Sequence, residues 1–108
     1  MPPKKQIIGV WRITQTEQWE SDYLDMVAPA HITFQPRGQG DFAFGALQAT
    51  LDWRFADDRF DFSFQGTDEG TEINGRGYAE FTGPRQLAGR IFFHLGDESG
   101  FNAVKKSQ

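Results

Sequence analysis

The sequence predicts an all-β fold, an antiparallel up-and-down meander of seven or eight strands that closes into a small barrel, with one short helix. Apolar residues alternate with polar ones along most of the chain, which is the period of a strand with one buried face. Short turns rich in glycine separate the alternating segments. Eleven Phe, three Trp and two Tyr provide large rings for a core. Closure follows because an open meander would leave bare edge strands.

The length of 108 residues allows one hydrophobic core and therefore one domain. We assign this domain to residues 7–104, where the alternating pattern lies. Residues 1–6 are expected to form a disordered N-terminal tail, and residues 105–108 a C-terminal tail, because each contains a pair of lysines and little apolar sequence.

The first half of the chain contains four predicted strands. The first covers residues 7–15, whose inner face carries alternate residues, Ile7, Gly9, Trp11 and Ile13. A three-residue loop at 37–39 then pairs Phe34 with Phe42 and keeps both rings on one face. The apolar parity changes from even to odd after Gly45, which predicts a tight turn or a bulge there and a fourth strand beyond it.

The only predicted helix covers residues 21–27. Ser21 is a suitable N-cap, and Pro29 ends the helix soon afterwards. The aromatic and apolar residues that would pack on the domain recur at nearly helical spacing, Trp19, Tyr23 and Met26. We expect the helix to lie across one mouth of the barrel.

The second half of the chain is predicted to form further hairpins, with loops or turns at four places. A two-residue loop at 57–58 gives three large inward pairs, Phe55 with Phe60, Trp53 with Phe62, and Leu51 with Phe64. Residues 66–72 are acidic and are predicted to form a loop. The remaining elements are strands at 73–82 and 87–95 and turns at 83–85 and 96–100.

Charge and composition exclude several functions. The chain has no Cys, so disulfides, thiol nucleophiles and zinc–thiolate sites are excluded. Residues 6–104 carry seven basic and 15 acidic residues, and a body with a net charge of −8 repels nucleic acid. No apolar run reaches the length of a membrane helix, and the N-terminus lacks a signal-peptide pattern. We therefore expect a cytoplasmic protein that binds neither nucleic acid nor membranes.

The motif Gly9-Val10-Trp11 on the first strand resembles the G-x-W signature of the calycin superfamily, which includes lipocalins, fatty-acid-binding proteins and avidins. This resemblance implies a barrel whose floor is closed by the Trp, with an Arg from near the end of the chain packed on it. Arg90 is the nearest Arg that fits this description, although strand parity places it on the outer face.

The chain as a whole resembles a group of short bacterial proteins over residues 9–104. The shared motifs include Trp11-Arg12-Ile13, Gly75-Arg76-Gly77 and the segment Gly89 to Asp97. The resemblance implies a recurring cytoplasmic bacterial protein, and it implies no chemistry.

The aromatic residues suggest two possible functions, one for the inner face of the barrel and one for its outer face. The first is a small non-enzymatic binding module that holds an apolar or aromatic ligand inside the barrel, lined by Trp11, Trp53, Phe62 and Phe93. The other interpretation of these residues is a filled core, which short barrels usually have.

The second function is protein–protein interaction or homodimerisation through the outer wall. With a loop at 83–85, Tyr78 lies opposite Arg90 and Arg76 opposite Phe92, with His94 beside them on the same outer face. These residue types are enriched in interfaces. Either the helix at 21–27 or a second subunit is expected to cover them.

No catalytic residue, cofactor or metal is assigned. His94, Asp97 and Ser99 are the residue types of a hydrolytic triad, but they lie within one turn, whereas triad members come from separate elements. Two acidic sets have metal-ligand chemistry without a metal-site spacing, namely Asp22, Asp25 and His31, and Asp68, Glu69 and Glu72.

Overall fold

The computed structural model describes residues 4–56 and 58–106, and it shows a closed barrel of eight antiparallel strands. Each strand pairs with the next one in sequence, and the last pairs with the first. This architecture confirms the predicted fold class. The strands are β1 Gly9–Thr16, β2 His31–Gln35, β3 Gln39–Phe44, β4 Leu47–Ala56, β5 Arg59–Asp68, β6 Thr71–Gly83, β7 Gln86–Phe93 and β8 Glu98–Lys105.

The predicted helix forms but is much shorter than expected, because α1 covers only Ser21–Leu24. Its N-cap is Glu20, without a side-chain capping bond, so the capping role predicted for Ser21 is wrong. The chain leaves the helix where the carboxylate of Asp25 accepts the backbone N–H of Ala30 at 2.8 Å. Residues 26–28 are exposed, so no packing stabilises a further turn.

Both ends of the barrel are covered. At one end, Leu24 of α1 is buried and Trp19 packs on Phe44 and Phe93, with ring centroids 4.9 Å and 6.1 Å away. At the other end, a 3₁₀ turn at Lys4–Ile7 brings Ile7 into the core. Of the predicted N-terminal tail, residues 4–6 therefore belong to this turn, and residues 1–3 lie outside the described part of the chain.

The register of the β4–β5 hairpin is as predicted, with all three large pairs opposite each other. Its loop consists of Asp58, which has a φ of 66°, and residue 57, which lies outside the described residues. The β2–β3 register is different from the prediction, because Phe34 faces Gly40 and Phe42 faces Ile32. The three-residue loop lies one residue earlier than predicted, at Pro36–Gly38, where Arg37 is left-handed (φ 69°), and β3 therefore begins at Gln39.

Two other predicted loops are wrong in length. Residues 66–72 are not a loop, since β5 and β6 continue to a tight turn of Glu69 and Gly70, both with positive φ. Similarly, the turn predicted at 96–100 lies at residues 94–97, and β8 begins at Glu98. Polar and acidic residues continue these strands because the outer wall of the barrel faces water.

The interior is a continuous network of aromatic rings. Phe60 is at its centre, in contact with four rings at centroid distances of 4.9–6.2 Å, those of Phe34, Trp53, Phe55 and Phe81. The motif Gly75-Arg76-Gly77 lies within β6 without a break in register. Its two glycines face the rings of Phe64 and Phe62 on the neighbouring strand, which occupy the space that side chains would fill.

Candidate interaction surface

The outer walls of β5, β6 and β7 carry a row of arginine and aromatic side chains, which we call the outer aromatic patch: Arg59, Arg76, Tyr78 and Phe92. Alternation places these residues outside, because their neighbours Gly77 and Ile91 face the interior. The register is the predicted one, with Arg76 opposite Phe92 and Tyr78 opposite Arg90.

The four side chains of the patch stack on each other. The rings of Tyr78 and Phe92 have centroids 6.5 Å apart. The guanidinium carbon Cζ of Arg59 lies 4.5 Å from the centroid of Tyr78, and that of Arg76 lies 4.6 Å from the centroid of Phe92. Both rings are half-buried and both arginines are exposed. The result is a preformed surface of two rings between two cations.

Ion pairs hold two arginine side chains in place, one in the patch and one beside it. Arg59 pairs with Asp61 at 3.0 Å. Arg90 pairs with Glu98 at 2.9 Å and with Glu17 at 3.0 Å. Within residues 4–56 and 58–106, Arg76 makes no ion pair, so its guanidinium can bind a carboxylate from another molecule.

The Arg90 cluster connects β7, β8 and the segment after β1. The backbone N–H of Gly100 donates to Glu17 at 3.1 Å, and this bond, followed by the bond from Arg90, lowers the pKa of the Glu17 carboxyl. Its bonds with Glu98 and then Glu17 raise the pKa of Arg90. The cluster therefore holds the start of β8 in place beside the patch.

Glu17→Gln is expected to reduce the loss of stability in acid. The pKa of Glu17 is lower in the folded state than the ordinary value of 4.5. The contribution of its carboxylate to the free energy of unfolding is therefore complete above pH 4.5 and is lost as the pH falls through the folded pKa. Urea unfolding of both proteins at about pH 6 and about pH 3 measures the effect. Glu72→Gln, an equal change of charge at an exposed position, serves as the control. Identical acid dependence of wild type and Glu17→Gln would contradict the assignment.

The remaining predicted interface residues lie beside the patch. The backbone N–H of His94 donates to Asn74 at 2.8 Å, but its exposed side chain follows the end of β7 and lies outside the stack. Arg59 was missed, because the predicted loop at 66–72 left the register between β5 and β6 undefined. A shorter turn in that acidic segment would have placed Arg59 near Tyr78.

The helix does not cover the outer aromatic patch. It packs against β1, and Tyr23 lies over Gly45 in the β3–β4 turn. Trp19, the other predicted covering residue, lies against Phe44 and Phe93 at the barrel mouth. The intramolecular interpretation therefore fails for this face.

The four residues predicted to line an interior ligand site are part of the ring network. Trp11, Trp53 and Phe62 are buried and Phe93 is half-buried. Trp53 and Phe62 both contact Phe34, whereas Trp11 packs on Phe81 and Phe93 on Phe64. The four rings therefore do not pack around one common ring. Both indole N–H groups are bonded to backbone carbonyls, from Trp11 to Ile7 and from Trp53 to Gln35 and Gln39.

Three of the residues with hydrolytic or metal-ligand chemistry, Ser99, Asp25 and His31, have structural partners. Ser99 is fully buried, because β8 begins earlier than predicted, and its hydroxyl accepts the N–H groups of Glu17 and Gln18 and donates to Gly100. Asp25 pairs with Arg12, and His31 with Asp41. In the described part of the chain no three His, Asp or Glu side chains form a group that could hold a metal ion.

The cation on Trp11 is Lys105, not Arg90. Its Nζ lies 4.9 Å from the ring and donates to the carbonyls of Ile8 at 2.6 Å and Gln6 at 3.1 Å. Burial, and to a smaller extent the charge of Arg85, lowers the pKa of this ammonium group. Lys105 was expected in a tail, but it is the last residue of β8 and holds the N-terminal turn against the barrel.

Lys105→Met is expected to lower the free energy of unfolding by about 1–2 kcal/mol, since it removes two hydrogen bonds and a cation–π contact. Lys106→Met is the matched control, because that side chain is exposed. Urea unfolding measures both variants. Equal midpoints for the two would show that the contacts of Lys105 contribute nothing.

Comparisons with protein-family models, with curated proteins and with solved structures find no match for this chain. The resemblances to calycins and to short bacterial proteins therefore rest on the sequence motifs alone. Within the described residues, no helix is long and apolar enough to cross a membrane.

Proposed function

We propose that the protein is a non-enzymatic interaction module and that its outer aromatic patch binds a second copy of the chain. The observation that carries the proposal is the partly exposed stack of Arg59, Tyr78, Phe92 and Arg76, which the helix leaves uncovered. Tyr, Phe and Arg are enriched in interface cores, and a rigid prearranged surface loses little entropy on binding.

The charges around Phe92 favour a second copy as the partner. Arg76 on β6 and Glu98 on β8 lie directly opposite Phe92, one on each side of it. A twofold axis along the strand direction through Phe92 would place Arg76 against Glu98 of the partner subunit, and the reverse pair would form at the same time. The surface is thus complementary to itself at these positions.

The interior ligand site remains the alternative function. It requires the contacting rings around Phe34 to separate, or one of the covered ends to open. Tryptophan fluorescence with a set of hydrophobic probes tests it, because an occupied interior would change the emission of Trp11 and Trp53 and raise the melting temperature.

Light scattering on wild type and Phe92→Glu tests the dimer. We expect the wild type to have about twice the monomer mass of 12.3 kDa. Phe92→Glu is expected to be a folded monomer, because a carboxylate on the axis would face its own copy. Val104→Glu, the same kind of change on the outer wall of β8 away from the patch, should remain dimeric.

A wild-type monomer at about 100 μM would overturn the proposal. If Phe92→Glu does not fold, the exposed Arg76→Glu replaces it, since that variant removes the pairing with Glu98 without changing a ring. A dimeric Arg76→Glu protein with unchanged affinity would also count against this surface.

A further inference from the structure

A second feature of the outer wall lies under the chain that leaves α1. The segment 25–30 overhangs β1 and β2 and forms a cleft of about 610 Å³, which we call the wall cleft. Its apolar lining includes Val10, Ala28 and Pro29, and its cations are Arg12 and Lys106. This volume is in the range of sites for small molecules.

The polar groups of the wall cleft are held in place by partners in the same chain. Asp25 accepts from both Arg12 and the N–H of Ala30. The ring of His31 contacts the carboxylate of Asp41 at 3.2 Å and the carbonyl of Pro29 at 3.1 Å. Both carboxylates are thereby engaged, and the overhang is tied to the barrel wall.

The two cations of the wall cleft have N–H donors that are not used within the described residues. A guanidinium has five N–H donors, and Asp25 occupies only one side of Arg12. Lys106 is exposed at the rim, and its side chain forms no ion pair with the described residues. An anionic group at the rim would therefore meet two cations, next to a surface of small apolar side chains.

We infer that the wall cleft binds a small amphiphile, a flat or short apolar body that carries one anionic group. The apolar body would lie on Val10, Ala28 and Pro29, and the carboxylate or sulfonate would bind Arg12 and Lys106. This site is separate from the outer aromatic patch on β5–β7, and its ligand enters from solvent rather than through the closed ends of the barrel.

Titration with 8-anilinonaphthalene-1-sulfonate tests the inference, because this probe combines a flat apolar body with one sulfonate. We expect a saturable rise in its fluorescence with wild type. Lys106→Glu should weaken binding about tenfold, since it replaces an attractive charge with a repulsive one. Arg54→Glu is the control for overall charge, as it makes the same change on the exposed wall of β4.

A filling variant and a probe without charge complete the test. Ala28→Trp, at an exposed position of the overhang, should abolish binding by occupying the wall cleft. The neutral analogue N-phenyl-1-naphthylamine should bind more weakly than the sulfonate. Equal loss in Lys106→Glu and Arg54→Glu, or probe-induced NMR shifts at Tyr78 and Phe92 instead of Val10 and Thr33, would overturn the inference.

Discussion

Phe60→Ala is expected to lower the free energy of unfolding by about 3–5 kcal/mol, a large part of the stability of a domain this size. Phe60 is fully buried at the centre of the ring network. Its removal takes away contacts with four other rings and leaves a cavity that the closed barrel cannot collapse to fill. Rings bound on all sides by paired strands have little freedom to move inward.

Urea unfolding measures this effect, with Val27→Ala as the control. Val27 is 64% exposed, so removing its methyl groups should change stability by less than about 0.5 kcal/mol. A loss below about 1.5 kcal/mol for Phe60→Ala would mean that the core is loosely filled. That result would favour an interior that can accept a ligand.

Gly77→Ala is expected to cost about 3 kcal/mol or more, although it adds a single methyl group. The added Cβ would lie 2.5 Å from the carbonyl oxygen of Arg90 and 2.7 Å from the ring of Phe62. Neither neighbour can move freely, because one is backbone of β7 and the other is buried in the core. The strands would have to separate at this point.

Two further variants identify the cause. Gly83→Ala adds the same methyl group near the flexible end of Gln86, at 3.1 Å, and should be tolerated. Phe62→Leu replaces the ring by a smaller side chain and makes room for the added methyl group. The double variant with Gly77→Ala should therefore lose less stability than the sum of the losses of the two single variants. Additive losses would show that the ring plays no part, and a harmless Gly77→Ala would contradict the close approach of β6 and β7.

Strand parity predicted the β-strands, because a buried interior requires apolar side chains at alternate positions. The need to avoid bare edge strands then predicted the closed fold. The β4–β5 register was accessible from sequence, since only one loop length pairs Trp53 with Phe62 and also aligns the other large residues. The position of the β2–β3 loop was predicted wrongly, because nothing in the sequence around Arg37 indicates a non-glycine residue with positive φ. The length of the acidic turn between β5 and β6 was overestimated, because polar residues on the outer wall of a barrel have the same composition as a loop.

The outer aromatic patch was predicted in part, because one of its two strand registers could be derived from the sequence. The turn at 83–85 fixes the β6–β7 register, so the neighbourhood of Tyr78 and Phe92 was within reach of sequence reasoning. Arg59 joins them from β5, across a register that depended on the misjudged turn. The contact of Lys105 with Trp11 joins the two ends of the chain, and no local pattern indicates such a contact.

We propose that the outer wall at β6 and β7 binds a second copy of the chain. NMR spectra recorded on dilution from about 1 mM to about 20 μM test it most directly. We predict that the signals of Arg76, Tyr78, Phe92 and Glu98 shift together with concentration while those of Trp11 and Trp53 stay fixed. Spectra that do not change over this range in a sample that scatters light as a monomer, or shifts confined to residues away from this wall, would contradict this binding.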